Sequence, residues 1–314
     1  MYYTSVIVLM SQKFHRLSMH ERRRERFFLK RFEKSAARME QHIDGGYTMK
    51  EREYPAPPEY GTFKQNIRSL TGIDLNAYKY QIHRRVHMLM QRWRIQSYED
   101  YYKTVAASED KLREFLDYLT INVSEFFRNP QRWWEIKDKI IPSLLRERAG
   151  AALRLWSAGS ATGEEPYSLA MLALECGLSA KEKIRASDID AGVIKKAQRG
   201  EYHKRQLVNV PDPWKKKYFR PGKEEFFEIA QEVKSRVEFV RENLIEDTFK
   251  KDLHLILCRN VVIYFSPETK SNLYRKFFDS LVPGGYLMVG STEQIFEYRK
   301  IGFISAGPFL YQKP

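Results

Sequence analysis

From Leu153 to the C-terminus, apolar runs of strand length alternate with runs patterned for helices, and nothing else in the chain narrows the choice of fold so far. Parallel strands need a long crossover between them, so a repeated strand–helix–strand order builds one parallel sheet. The strand candidates are "LRLWSAG", "KIRASDID", "RVEFVREN", "DLHLILCRN" and "GGYLMVGS". Between the second and third lies "HKRQLVNVPDPWKKKYFRPGKEEFFEIAQEVK", too long for a simple connection and carrying its own alternating run, "EFFEIAQEV". A small antiparallel β subdomain is therefore expected at about residues 204–236, inserted in an α/β domain spanning 153–314.

Upstream the pattern changes. Residues 59–134 read as an all-helical domain, with Ser, Thr, Asp and Asn at helix starts and few glycines, and a linker helix is expected over 135–152. In "YKYQIHRRVHMLMQRWRI", Ile82, Val86, Leu89 and Trp93 share one apolar helical face. Lys79, Arg84, Arg85, Arg92 and Arg94, joined by His83 and His87, leave residues 78–94 without an acid. A solvated helix face ordinarily mixes signs. This one reads as a docking surface for an acidic partner, with Arg84 opposite the apolar stripe. Residues 1–58 form a basic tail whose second half, "DGGYTMKEREYPAPPEYG", is broken by glycines and prolines. The tail is expected to be disordered, or to lie upstream of the true translation start. Gly45-Gly46 can be encoded as GGAGGT, a ribosome-binding sequence, just before Met49.

Composition excludes several classes. The two cysteines, Cys176 and Cys258, lie far apart without metal spacing, which suits a reducing compartment and argues against a disulfide framework or structural zinc. No stretch approaches the roughly 20 apolar residues of a membrane span. The run "VIVLM" lacks the flanks of a signal peptide, and a cytoplasmic location is expected. The net charge of +14 raises nucleic acid as a partner. Yet residues 1–58 hold 12 Lys/Arg against 7 Asp/Glu, residues 59–149 hold 16 against 12, and residues 150–314 hold 26 against 21. The surplus is diffuse, which weakens the case for a dedicated duplex-binding face.

In open parallel sheets a ligand sits beyond the carboxyl ends of the strands, where strand order reverses. Three such ends carry suitable residues here. After the first strand Gly159 and Gly163 permit close backbone approach, and Pro166 suits a first helical turn. At the end of the second, Asp188 stands where an acid accepts ribose hydroxyls. After "DLHLILC", Arg259 and Asn260 face the same edge. The turn "SAGSATGEE" lacks the dinucleotide G-x-G-x-x-G spacing, and Glu164 and Glu165 would repel a pyrophosphate. A cationic, phosphate-free nucleoside is favoured, and S-adenosylmethionine fits.

The motifs "NVSEFFRNPQRW", "LWSAGSATGEEPYSLAM", "ASDIDAGVIKKAQRGEY", "LILCRNVVIYF" and "PGGYLMVGSTEQIF" resemble those of CheR-type chemotaxis receptor methyltransferases, those of Bacillus-type bacteria above all. The resemblance covers about residues 60–312, with the motifs in order. It implies a Rossmann-like S-adenosylmethionine-dependent methyltransferase with an N-terminal all-helical domain and a small antiparallel β subdomain inserted. It also implies the activity: methyl transfer to glutamate side chains of methyl-accepting chemotaxis receptors, giving glutamyl methyl esters and S-adenosylhomocysteine. Carried over by position, Asn122, Ser124 and Arg128 contact the cofactor, and Glu165 is its binding acid. Asp188 holds the ribose hydroxyls, Asn243 and Leu244 frame the adenine, and Arg259 with Asn260 closes the methionine end. The basic helix would meet the receptor's acidic cytoplasmic helical bundle. The inserted subdomain resembles the part with which some members grip a receptor C-terminal peptide, but its turn is shorter here, and a tether-independent monomer is expected.

The chemistry asks little of the protein. A glutamate with a pKa of about 4.3 is already ionised at neutral pH, so no strong base is needed. Sulfonium and carboxylate charges cancel as the methyl moves, which leaves alignment and exclusion of water as the main tasks. Arg128 would orient the carboxylate and Tyr264 would aim it. Two rivals differ in class. A nucleic-acid amino methyltransferase would carry a [DN]PP[YF] motif where this chain reads "CRNVVIYF". A binding module that had lost its cofactor would not need Arg128, Glu165, Asp188 and Asn260 together.

Overall fold

A computed structural model describes residues 57–119, 124–147 and 152–314. The basic tail, the Met49 start and Asn122 lie outside the described residues.

Among the described residues four α-helices come first: α1 (Pro58–Thr71), α2 (Tyr80–Arg92), α3 (Tyr98–Ala107) and α4 (Glu109–Leu119). Pro58 opens α1, where its missing N–H costs nothing, and the Ser97 side chain caps α3 by accepting the Asp100 amide. The α2 stripe Ile82, Val86 and Leu89 is buried against Tyr60, Phe63, Ile67, Tyr101 and Phe115. Each such aliphatic contributes about 1.5–3 kcal/mol by leaving water. The next helix starts at Pro130 rather than 135. It runs as α5 (Pro130–Glu135), a π turn (Ile136–Ile140) and α6 (Ile141–Glu147). The π turn, closed by the Ile141 amide on the Ile136 carbonyl, ends one residue before Pro142. A proline ring collides with the carbonyl four residues back in a regular helix, and the wider turn accommodates it.

The α/β half follows the expected alternation: β1 (Leu155–Ala158), α7 (Glu164–Glu175), β2 (Ile184–Asp188), α8 (Ala191–Arg199), then β6 (Val237–Arg241), β7 (Leu253–Cys258), α11 (Pro267–Ser280) and β8 (Leu281–Val289). The sheet order is β6-β2-β1-β7-β8-β10-β9. Pairings from β6 to β8 are parallel, while β10 (Leu310–Gln312) runs antiparallel to both β8 and β9 (Ile304–Gly307). All six β7 residues are buried, as a strand covered on both faces requires. β9 and β10 escaped the sequence reading because three or four residues are too few to show a period.

The insertion holds β3 (Glu201–His203), α9 (Asp212–Tyr218), β4 (Phe219–Pro221), β5 (Phe226–Ile229) and the short α10 (Gln231–Lys234), with the antiparallel order β3-β5-β4. It begins at 201 because Gly200, at φ 68, ends α8 in the left-handed conformation and turns the chain straight into β3.

The helical domain is stitched to the sheet by backbone. Lys79 N–H donates to the Tyr264 carbonyl at 2.8 Å and Ser266 N–H to that of Ala77 at 2.9 Å. Arg241 Nη2 and Asn243 Nδ2 reach the Thr71 and Gly72 carbonyls, each at 2.9 Å.

Candidate active site

Strand order reverses between β1 and β7, and a cleft of about 1170 Å³, open mouth included, lies beyond their carboxyl ends. Ser124, Arg128, Glu165, Asp188, Asn243, Leu244, Arg259, Asn260 and Tyr264 all border it, together with Ile73, Tyr78 and Leu119 of the helical domain.

Its floor is the turn after β1. Gly159, at φ 81, brings this turn so close to the β7 loop that a Cβ would stand 2.4 Å from Val261 Cγ2. Ala161 N–H donates to Asp188 Oδ2 at 2.9 Å and Asp190 N–H to Oδ1 at 3.0 Å, which fixes the carboxylate at the end of β2. Burial pushes the Asp188 carboxyl up and these amides act against it.

The two glutamates at the start of α7 part company. Glu164 turns away from the cleft, where the Thr162 hydroxyl, the Gln206 amide and the Ser124 hydroxyl hold it. Glu165 faces the cleft, accepts from Ser157 Oγ at 2.9 Å and pairs with Arg259 Nη1 at 3.4 Å. Burial raises its pKa, and the Arg259 charge opposes the rise. Arg259 Nη2 also donates to the Arg128 carbonyl (2.7 Å) and to Asn129 Oδ1 (3.0 Å), with the guanidinium over the Trp133 ring. Arg259 therefore ties the 128–133 segment to the end of β7.

Asn260 takes a left-handed φ of 60, which asparagine tolerates. What holds it there is Glu293, a residue to which sequence reasoning assigned no role. Its carboxylate accepts the backbone N–H groups of Asn260 (2.6 Å), Gly290 (2.7 Å) and Ile263 (3.1 Å). The signal was present in the quoted motif "GSTEQIF", which also holds Gly290, but the other two partners, Asn260 and Ile263, lie some 30 residues away in sequence. Tyr264 follows on a 3-10 turn, half-buried, its hydroxyl pKa raised by burial against the nearby charges of Arg85 and Arg128. Tyr78, likewise unforeseen, packs edge-on against Phe265 at 5.1 Å.

On α2, Arg84 and Arg92 are exposed, and Arg94 is exposed just past the helix end. Arg85 instead bonds the Tyr118 carbonyl with its Nε at 2.8 Å and lies over that ring. His83 and His87 do not belong to the charged face. They meet the Tyr60 and Tyr98 hydroxyls, each at 2.7 Å, and burial lowers both pKa values.

Residues 122–307 match the family described as CheR methyltransferase, SAM binding domain, and residues 58–120 match CheR methyltransferase, all-alpha domain. The chemotaxis protein methyltransferase of Listeria innocua is 35% identical over 256 residues, covering 81% of this chain and 97% of that protein. The Listeria monocytogenes protein of the same name is 34% identical over the same shares. That of Borreliella burgdorferi is 34% identical over 65% of this chain and 74% of its own. The sheet, its cleft and these matches define an S-adenosylmethionine-dependent methyltransferase. The chain belongs to the CheR methyltransferase family.

The walls suit that cofactor. Ser160 Oγ, Glu242 Oε2 and Arg259 Nε are buried atoms of residues that border the cleft, without a hydrogen-bond partner among the described residues. Glu293 stands close enough to Glu165 to add to the rise that burial gives the Glu165 carboxyl.

Proposed function

We propose that this chain methylates glutamate side-chain carboxylates of methyl-accepting chemotaxis receptors, giving glutamyl methyl esters and S-adenosylhomocysteine in sensory adaptation. The observation that carries the reading is one cleft bordered together by Asp188, Glu165, Arg259, Arg128 and Tyr264. S-adenosylmethionine supplies an electrophilic methyl group on a sulfonium. Asp188 accepts the ribose hydroxyls, Asn243 and Leu244 frame the adenine, and Ser124 lines the cofactor's path, with Asn122 as its neighbour in sequence. Glu165 and Asn260 hold the methionine amine and Arg259 its carboxylate. Arg128 orients the incoming carboxylate by charge-assisted hydrogen bonds, and Tyr264, kept as a neutral phenol by its raised pKa, donates to it. Closure by the helical domain excludes water from this step.

The exposed guanidinium groups of Arg84, Arg92 and Arg94 meet the acidic receptor bundle, so that residues 57–119 dock while 153–314 catalyse. Arg85 supports this surface from behind. The enzyme acts as a cytoplasmic monomer, with neither nucleic acid nor membrane insertion required. Among the described residues no helix is long and apolar enough to cross a membrane.

The test is methyl transfer from labelled cofactor to a purified receptor cytoplasmic fragment, followed by mild base. Methanol released by base, and lost with Asp188→Ala, is the expected result. Label that resists base, or that appears only on added RNA, would sink the carboxyl-ester reading.

A further inference from the structure

Two lysines from different domains come together beside Tyr264. Lys79, just ahead of α2, donates its backbone N–H to the Tyr264 carbonyl at 2.8 Å, and Ser266 N–H donates to the Ala77 carbonyl at 2.9 Å. Ser266 also opens α11: its hydroxyl accepts the Thr269 amide at 3.2 Å and its carbonyl accepts the Lys270 amide at 3.0 Å. These bonds fix both lysines to the short bridge between Tyr78 and Phe265. Both residues are half-buried. Burial lowers the Lys270 pKa, and the Lys79 side chain stands near enough to lower it further.

Holding two ammonium groups together costs free energy, through mutual repulsion and partial loss of water. An acid between them would offset the cost. Among the described residues, however, neither lysine forms an ion pair with a carboxylate. Glu293 opposes the shift at Lys270, but its oxygens are already taken by the amides of Asn260, Gly290 and Ile263. A cationic pair without its own counter-charge fits an anion carried by a partner. Its place narrows the choice. Tyr264 borders the cleft whereas the two lysines lie outside its lining, so the group they meet stands beside the reacting carboxylate and not in its place. On a helix, side chains three or four positions from a given glutamate share its face. We propose that Lys79 and Lys270 receive a second carboxylate of the receptor helix, within four residues of the glutamate being methylated, and so make the enzyme select glutamates in acidic surroundings. The inference rests on the receptor reading above and deepens it: exposed arginines bring the helix to the enzyme, and the lysine pair discriminates among its glutamates.

The test uses the full chain and two forms of a receptor cytoplasmic fragment that keeps one methylatable glutamate. One form retains the acids within four residues of it, and the other carries the corresponding amides. In the wild type kcat/KM is expected to favour the acidic form by roughly threefold to tenfold, the range of partly exposed charge pairs. In K79Q/K270Q, which keeps both backbone bonds, the ratio falls toward unity while calorimetric S-adenosylhomocysteine affinity is unchanged. Each single variant, K79Q or K270Q, moves the ratio part of the way and serves where the double variant fails to fold. The ratio compares two substrates on one enzyme, so a partly unfolded preparation does not distort it. No preference in the wild type, or a preference that survives both substitutions, would overturn the inference and leave the methyl-transfer reading standing. Absence of base-labile methyl ester on either form would overturn that reading, and this inference with it.

Discussion

Glu293 shows what one buried carboxylate does for a loop. Its oxygens gather amides from Asn260, Ile263 and Gly290, and so hold the segment that carries both Asn260 and Tyr264. Gln at this position has one acceptor oxygen and an amide that turns donors toward donors. Leaving one of these amides unsatisfied costs about 1–3 kcal/mol. Glu293→Gln is therefore expected to lower kcat roughly tenfold or more through misplacement of Tyr264, with a smaller change in S-adenosylhomocysteine affinity. Steady-state kinetics beside calorimetry would check this, and a loss confined to cofactor binding would remove Glu293 from the positioning role. Gly290 belongs to the same arrangement, since a Cβ there would stand 2.4 Å from Glu293 Oε2. Gly290→Ala should destabilise the fold by about 1–3 kcal/mol, visible as a lower Tm.

At the scale of elements, α2 combines two jobs that its sequence presents together. The apolar stripe and the two histidines face inward, and the exposed arginines face out. Burial, with Lys64 and His87 adding to it at His83, keeps both imidazoles below their ordinary pKa, and a backbone bond at Tyr78 only partly opposes this at His83. The unfolded chain thus binds protons more readily than the folded one. Stability from these two sites is intact above the unfolded value of about 6.5 and declines as pH falls below it. Thermal unfolding should accordingly shift to lower Tm between neutral pH and pH about 5.5, and less so in His83→Gln, which still accepts the Tyr60 hydroxyl. An identical pH profile in wild type and variant would refute the assignment. The π turn ahead of Pro142 and the Gly200 turn into β3 illustrate the same scale: one residue's backbone chemistry sets where an element bends or begins.

For the whole molecule, the decisive feature is the closure of one domain on the other. The bridge between Tyr78 and Phe265, with the Arg241 and Asn243 bonds to residues 71 and 72, makes the helical domain one wall of the cleft. The exposed arginines of α2 proposed to dock a receptor belong to this same domain. Reversing charge at Arg84 and Arg92 together should raise KM for a receptor fragment roughly tenfold at low salt, with the difference shrinking as salt screens it. S-adenosylhomocysteine affinity should stay unchanged. Equal KM values in variant and wild type at low salt would move the docking surface elsewhere.

Local periodicity was enough to read the parallel sheet, the helical domain and the small inserted antiparallel subdomain, because alternation and amphipathic spacing are properties of a few consecutive residues. The residue types at the strand ends, with their motifs, likewise drew attention to Asp188, Glu165, Arg259, Asn260 and Tyr264, which the fold brings to one cleft. Out of reach were the contacts made across distance. Nothing near Glu293 announces that its partners begin at Asn260, nothing near Glu242 announces Arg185, and nothing in the basic run separates the buried His83 and tethered Arg85 from exposed Arg84. Elements follow from interactions between neighbours in sequence. Which side chains are buried, paired or left open to a ligand depends on packing between segments far apart along the chain, and only the folded chain sets that.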